Sequence, residues 1–284
     1  MAHDSFVQLL DLAKTAGSIS AVALEQEALE SGETQAALRA RMSERLRVMR
    51  EAVARGLEGT LLSQSEIVGG DAAKVANSSS GAVGGVFARA VAGALAVAEV
   101  NASMGRIVAA PTGGASGVVP GVLIALAEER SIPDDAVVDA LFTASAVGAV
   151  MASRTNLSGA AAGCQAEIGA AAAMAAAGAC EMLGSSPEQA GHAASIALQG
   201  LLGLVCDPAG GLVEVPCVMR NATATGVSLA AIEVALAGVA FPIPFDEVAD
   251  ALAGVGRALP SALRETALGG LAISATARRL YPET

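Results

Sequence analysis

The chain has 284 residues, 53% of them hydrophobic, with no Trp, one Tyr and a formal net charge of −11. That acidic balance gives no clustered Lys or Arg to reward nucleic acid or an anionic membrane, so neither is expected as a partner. A mean hydropathy of +0.55 raises the question of membrane insertion, but the apolar mass is Ala, Gly and Val without an aromatic belt, and Asp139 interrupts the apolar stretch Ala136 to Ala152. This pattern predicts closely packed helices of a soluble protein rather than membrane spans.

The first residues, Met1-Ala2-His3-Asp4-Ser5, lack the basic start and apolar run of a signal peptide, which makes the cytoplasm the expected location. Ser5 to Ala16, Ala21 to Glu30 and Glu33 to Arg55 read as charged amphipathic helices, the third stopping at Gly56. Together they predict a polar helical shell over residues 1–58, packed on a core of 59–284 within a single domain. After the Gly/Ser-rich stretch from Gly59 to Gly81 the composition turns to Ala, Gly and Val until about Ala240.

Helical spacing of apolar residues places helices in this core near residues 82–103, 119–130, 134–152, 163–183, 187–200 and 217–238. Ile132-Pro133-Asp134 and Ser186-Pro187-Glu188 carry the cap, proline and acids of helix starts. Asp246 is expected to cap a further helix, and a last one covers about Gly270 to Arg279. No sustained alternation marks a strand. The expected fold is all-α: a compact Ala/Gly-rich helical domain with an amphipathic N-terminal shell.

Three of the four cysteines stand beside Gly or Pro, in Gly163-Cys164-Gln165, Val205-Cys206-Asp207-Pro208 and Val215-Pro216-Cys217. A turn or helix start offers backbone N–H groups and room for a metal. Their spacings of 42 and 11 residues match no short zinc-finger or ferredoxin pattern, so on local grounds small buried residues fit equally well. Cys180 lies in the unbroken apolar run Ala175 to Met182 and reads as core.

Ala110-Pro111-Thr112-Gly113-Gly114-Ala115-Ser116-Gly117 precedes an apolar helical run. Glycines and hydroxyls at a helix start suit a carboxylate or phosphate, or simply a tight turn. The loop lacks Gly-Lys-Ser/Thr and follows no predicted strand, which excludes the P-loop and dinucleotide readings. Lys74, one of two lysines, sits near Gly69-Gly70 and either pairs a substrate carboxylate or is a solvated surface side chain. Without alternating strands and helices, Lys74 is not read as the Schiff-base lysine of a pyridoxal-phosphate enzyme, and no pyridoxal phosphate is expected. His3 and His192 are the only histidines, and neither suits a general base, so another chain is expected to complete the site.

Three segments together resemble one family: Asn101-Ala102-Ser103-Met104-Gly105 leading to Pro111-Thr112-Gly113-Gly114, then Gly159 to Gly169 around Cys164, then Gly203 to Asn221 with both Cys206 and Cys217. They are similar to the α chain of bacterial iron-sulfur-dependent L-serine dehydratase, over about Leu57 to Gly270. The resemblance implies an all-α catalytic chain with an oxygen-sensitive 4Fe-4S cluster on Cys164, Cys206 and Cys217. By the same resemblance Thr112, Gly113, Gly114, Ser116 and Gly117 hold the carboxylate of L-serine, with Lys74 and Asn101 as catalytic residues nearby. It further implies a β chain as partner, which carries the candidate base, and a non-redox elimination giving pyruvate and ammonia. Related eliminations, such as removal of sulfide from cysteine, and a non-catalytic cluster-binding sensor remain open alternatives at this point.

Overall fold

A computed structural model describes residues 5–282, so His3 lies outside the described residues. Among these residues there is no strand beyond one isolated bridge between Cys206 and Arg264. The polar N-terminal part forms α1 (Phe6–Ala16), α2 (Ile19–Ser31) and α3 (Gln35–Leu57), with Ser5, Ser18 and Thr34 each accepting a backbone N–H at the N-cap. These side chains satisfy donors that a helix start leaves without intrahelical partners.

The third helix does not stop at Gly56. It continues to Leu57, and Gly56 is buried inside it, where an added Cβ would lie 2.3 Å from the Ala96 carbonyl oxygen. The glycine therefore permits a close helix crossing and ends nothing. It crosses α5 (Gly85–Ala102), which follows a one-and-a-half-turn helix, α4 (Asp71–Ala76).

Next come α6 (Val118–Arg130) and α7 (Asp134–Arg154). Both α5 and α7 are long and apolar enough to cross a bilayer by length and composition. In the fold α5 packs on α3, α4, α6 and α11, and α7 packs on α2, α3 and α9. The short α8 (Gly159–Ala162) leads through Cys164 into a π-helical turn, Gln165–Gly169, and then α9 (Ala170–Met182). Every residue from Ala170 to Cys180 is buried. A helix apolar on all sides has to be enclosed, and α9 is, by α6, α7, α10 (Pro187–Gln199) and α11 (Cys217–Leu236). Small side chains let these axes approach: a Cβ on Gly178 of α9 would meet the Ala140 carbonyl oxygen of α7 at 2.6 Å.

Ser186 starts α10 with a full capping box, its hydroxyl accepting from Gln189 N while Gln189 accepts from Ser186 N. The chain ends with α12 (Phe245–Ala258), two 3-10 turns and α13 (Ala275–Leu280). The expected last helix over 270–279 is thus a 3-10 turn, Gly270–Ile273, broken before α13, because Ser274 leaves the helical conformation to cap α13. Asp246 does not cap its own helix, which begins after Pro244. Its carboxylate accepts from Phe6 N at 2.7 Å, Val7 N at 3.3 Å and Ser5 Oγ at 2.6 Å, so it caps α1 across 240 residues of sequence.

Candidate active site

The segment expected to be one helix over 163–183 is divided where chemistry is concentrated. The π-helical turn Gln165–Gly169 inserts one residue of slack between Cys164 and α9, a device that recurs at functional sites. Gln165, fully buried, holds it in place. Its amide donates to the carbonyls of Ala162 (2.9 Å) and Leu252 (3.2 Å) and accepts from Gly203 N (2.9 Å). The turn presents Cys164 and Glu167 to the same side.

Cys206 comes from an extended segment fixed by Leu263 and Glu265. Cys206 N donates to the Leu263 carbonyl at 2.9 Å and Glu265 N to the Cys206 carbonyl at 2.7 Å. Cys217 opens α11 after Pro216. The three thiols, Cys164, Cys206 and Cys217, line one cavity of about 40 Å³ together with Gly114, Glu167 and Glu265. Cys180 is elsewhere, inside α9.

The electrostatics separate the same two groups. Burial pushes Cys180 up to about 12, with no charged neighbour contributing. Burial also raises Cys164 to about 11, where Arg220 eases the thiolate and Glu167 opposes it. Cys217 rises to about 12 through burial and then through Cys164, and Cys206 is driven up by burial and by Cys164, Glu167, Glu265 and Cys217. Three thiols that repel one another's ionisation across a shared cavity form a site that a bound cation relieves.

Arg220, one turn after Cys217, is the partly buried cation beside the site. Burial works against its charge, but Cys164 and Asp207 outweigh it and raise the guanidinium. It donates to Asp207 Oδ1 at 2.8 Å and to the Val205 carbonyl at 2.9 Å.

The glycine loop reaches the cavity at Gly114. A buried side chain, Asn221 of α11, welds loop to helix: its Oδ1 accepts from Gly117 N at 2.9 Å, and its Nδ2 donates to the carbonyls of Gly114 (2.7 Å) and Cys217 (2.9 Å). Two of the expected anion-binding residues are thereby committed within the protein. The Gly117 amide is taken by Asn221, and the buried Ser116 hydroxyl donates to the Gly113 carbonyl at 2.7 Å. Gly117 also admits α5, since a Cβ there would sit 2.3 Å from the Ala94 carbonyl oxygen. By contrast, the buried Thr112 hydroxyl has no close partner other than the Glu167 carboxyl beside it, and the amides of Thr112, Gly113 and Gly114 donate to nothing among the described residues. Asn101, in the last turn of α5, lies against Gly113, with its Oδ1 3.4 Å from where a Cβ would stand.

Lys74 is not brought to the cavity. It lies on α4 with its side chain 75% exposed and pairs with Asp71 at 2.7 Å. The neighbouring Glu99, buried on α5, accepts from Gly70, Asp71 and Ala72 N–H groups and so anchors α4. His192, on α10, is likewise absent from the cavity lining.

Glu167, Arg220 and Asn221 were not anticipated from sequence. Glu167 and Asn221 do lie in the cysteine-bearing segments, three and four residues after Cys164 and Cys217. That helical offset was the available signal. Burial raises the Glu167 carboxyl, and the nearby Thr112 hydroxyl partly offsets it.

The family described as serine dehydratase alpha chain matches residues 14–272. The chain belongs to that family. It is 47% identical over 265 residues to a probable L-serine dehydratase alpha chain of Bacillus subtilis (strain 168), covering 92% of this chain and 88% of that protein. It is 40% identical over 277 residues to the L-serine dehydratase alpha chain of Peptoniphilus asaccharolyticus, covering 96% and 95% respectively. L-serine dehydratase 1 of Escherichia coli (strain K12) is 44% identical over 182 residues, which is 63% of this chain but 40% of that longer protein.

An iron-sulfur cluster suits the donors present. The ligand set is three soft thiols, and Gly159 leaves open the space between Cys206 and Glu167: a Cβ there would lie 2.7 Å from the Cys206 Sγ and 2.6 Å from a Glu167 oxygen. Among the described residues no group of three or more His, Cys, Asp or Glu side chains closes on a single metal ion. Ligands to a multi-iron cluster bind different atoms of it and need not converge on one point.

Proposed function

We propose that this chain is the cluster-binding α chain of an L-serine dehydratase, a lyase that converts L-serine to pyruvate and ammonia. The observation that carries the reading is the meeting of three cysteine thiols and the glycine loop on one cavity. Membership of the serine dehydratase alpha-chain family supports it.

Cys164, Cys206 and Cys217 would hold a 4Fe-4S cluster. When bound, such a cluster supplies a Lewis-acidic iron with a position open to a substrate hydroxyl. The chain's own residues do the rest of the positioning. The free amides of Thr112, Gly113 and Gly114, with the Thr112 hydroxyl beside Glu167, receive the serine carboxylate, since preorganised N–H donors stabilise the charge that builds there when the α-proton leaves. Asn221 keeps those donors at a fixed offset from Cys217. Arg220 offsets the negative charge of the thiolates. Asn101 supports the loop at Gly113.

The α-proton acceptor comes from a partner β chain, because no histidine among the described residues lines the cavity. The alpha-chain names of the relatives favour such a partner. All four cysteines are free thiols, and a cluster on three of them suits the reducing cytoplasm.

The test is anaerobic reconstitution with iron and sulfide, with and without the β chain, scored by iron content, visible absorption and pyruvate release. Cluster formation in the α chain, with pyruvate from L-serine only when β is added, is the expected result. A loaded complex that turns over L-cysteine or L-threonine but not L-serine, or none of the three, overturns the assignment.

A further inference from the structure

A second cavity, of about 290 Å³, lies between α2, α3, α7 and α9, away from the cysteines. That volume is at the small end for organic ligands, which occupy sites of roughly 300–1,000 Å³. Its floor is apolar: Leu38, Met42, Met49, Leu141, Phe142 and Met174 are all buried side chains. Four of the six are Met or Phe, which adapt to an irregular apolar guest.

The rim is charged with both signs. Glu27 of α2 and Arg45 of α3 line the cavity, yet they pair neither with each other nor with any other side chain among the described residues. Arg41 also reaches the rim, where it is engaged by Glu33. Ser145 of α7 adds a hydroxyl that makes no hydrogen bond among the described residues. An apolar floor beneath one free carboxylate, one free guanidinium and a free hydroxyl is the complement of a zwitterion with an apolar tail.

From these groups we propose that the cavity binds a free α-amino acid with an unbranched or γ-branched apolar side chain. The ligand ammonium faces Glu27, its carboxylate faces Arg45 and Ser145, and its side chain lies on the Met/Leu/Phe floor. The site is distinct from the serine site and is coupled to it. Val108, Ala109 and Ala110, directly before the Pro111–Gly117 loop, line the cavity, and so does Val119, two residues after it. Met174 lies on α9, the helix that continues the turn bearing Glu167. A ligand here therefore touches both ends of the glycine loop.

The experiment is calorimetric titration of the full α chain, alone and with its β chain, using L-leucine and L-methionine as probes. Isocaproate and isoamylamine, which lack the ammonium and the carboxylate respectively, serve as controls. Saturable binding of L-leucine is expected, weakened at least about tenfold in each control and in Arg45→Ala and Glu27→Gln, both at the cavity rim. Amide hydrogen exchange should slow in residues 38–49 and 108–117 when L-leucine is added. Absence of saturable binding, equal binding by both variants, or competitive displacement by L-serine each overturns the proposal. So does binding that disappears when the β chain is present, because the cavity would then be an interface between chains.

Discussion

Asn221→Ala is the most informative single change, because one buried side chain joins the Cys217 end of α11 to the glycine loop. The side chain is 1% exposed and makes three hydrogen bonds. Truncation leaves the Gly117 N–H and the Gly114 carbonyl without their partner, while the Cys217 carbonyl keeps its place in the helix ladder. Each buried group left unsatisfied costs about 1–3 kcal/mol, so the two together cost about 2–6 kcal/mol. Water entering the vacated space recovers part of this, which sets the expected loss near 3 kcal/mol. At about 2 °C per kcal/mol for a chain of this size, Tm should fall by about 6 °C. The assay is thermal and urea unfolding followed by circular dichroism, with iron retention and serine turnover measured on the reconstituted complex. Asn221→Asp is the control. It keeps an acceptor for Gly117 N–H but sets a carboxylate oxygen against two carbonyl oxygens, so at neutral pH it should be at least as harmful as alanine. If Asn221→Ala stays within about 0.5 kcal/mol of the parent and loses no turnover, the weld between loop and helix has no energetic or functional weight.

Single Cys→Ser changes at 164, 206 and 217 should each abolish stable iron loading, whereas Cys180→Ala should load normally; iron quantitation after anaerobic reconstitution reads the difference. Cys180 also makes a prediction about pH. Its folded-state value of about 12 lies above the ordinary 9.0, so above pH 9 the unfolded chain loses this proton while the folded chain keeps it, and stability falls as pH rises. The slope from this group is about 1.4 kcal/mol per pH unit between pH 9 and 12. Cys180→Ala should flatten the urea-midpoint profile of the iron-free protein there by that amount, and an unchanged profile contradicts the assignment. Asp246→Ala removes three acceptor contacts from the start of α1 and should cost about 2 kcal/mol, seen as faster hydrogen exchange over residues 6–16 with little change over α9. Lys74→Met should leave the KM and kcat for serine unchanged, since the side chain is solvent-exposed, pairs with Asp71 and lies outside the cavity; a raised KM restores it to the carboxylate site.

The sequence by itself determined the helical class and most helix positions. Apolar spacing, the Ser186 capping box and Pro133 before Asp134 act within a few residues, so they are readable without the fold. Local context also separated Cys180 from the other three cysteines, because an unbroken apolar run forces burial whatever packs against it. Short-range patterns missed α4 and α8, which are too brief to show a period and depend on Glu99 and on the cysteine turn.

Tertiary structure decided which polar groups face the cavity. Ser116 and Gly117 look like Thr112 and Gly113 in the sequence, yet Asn221 and the Gly113 carbonyl, one of them 104 residues from Gly117, use up their hydrogen-bonding capacity. Asp246 reads as a cap in either setting, but only the approach of α1 shows which helix it caps. Gly56 has the composition of a helix stop, and only the crossing of α5 turns it into a contact point. A side chain's hydrogen-bond partner is set by whichever element packs beside it, and a one-dimensional pattern carries no information about that neighbour.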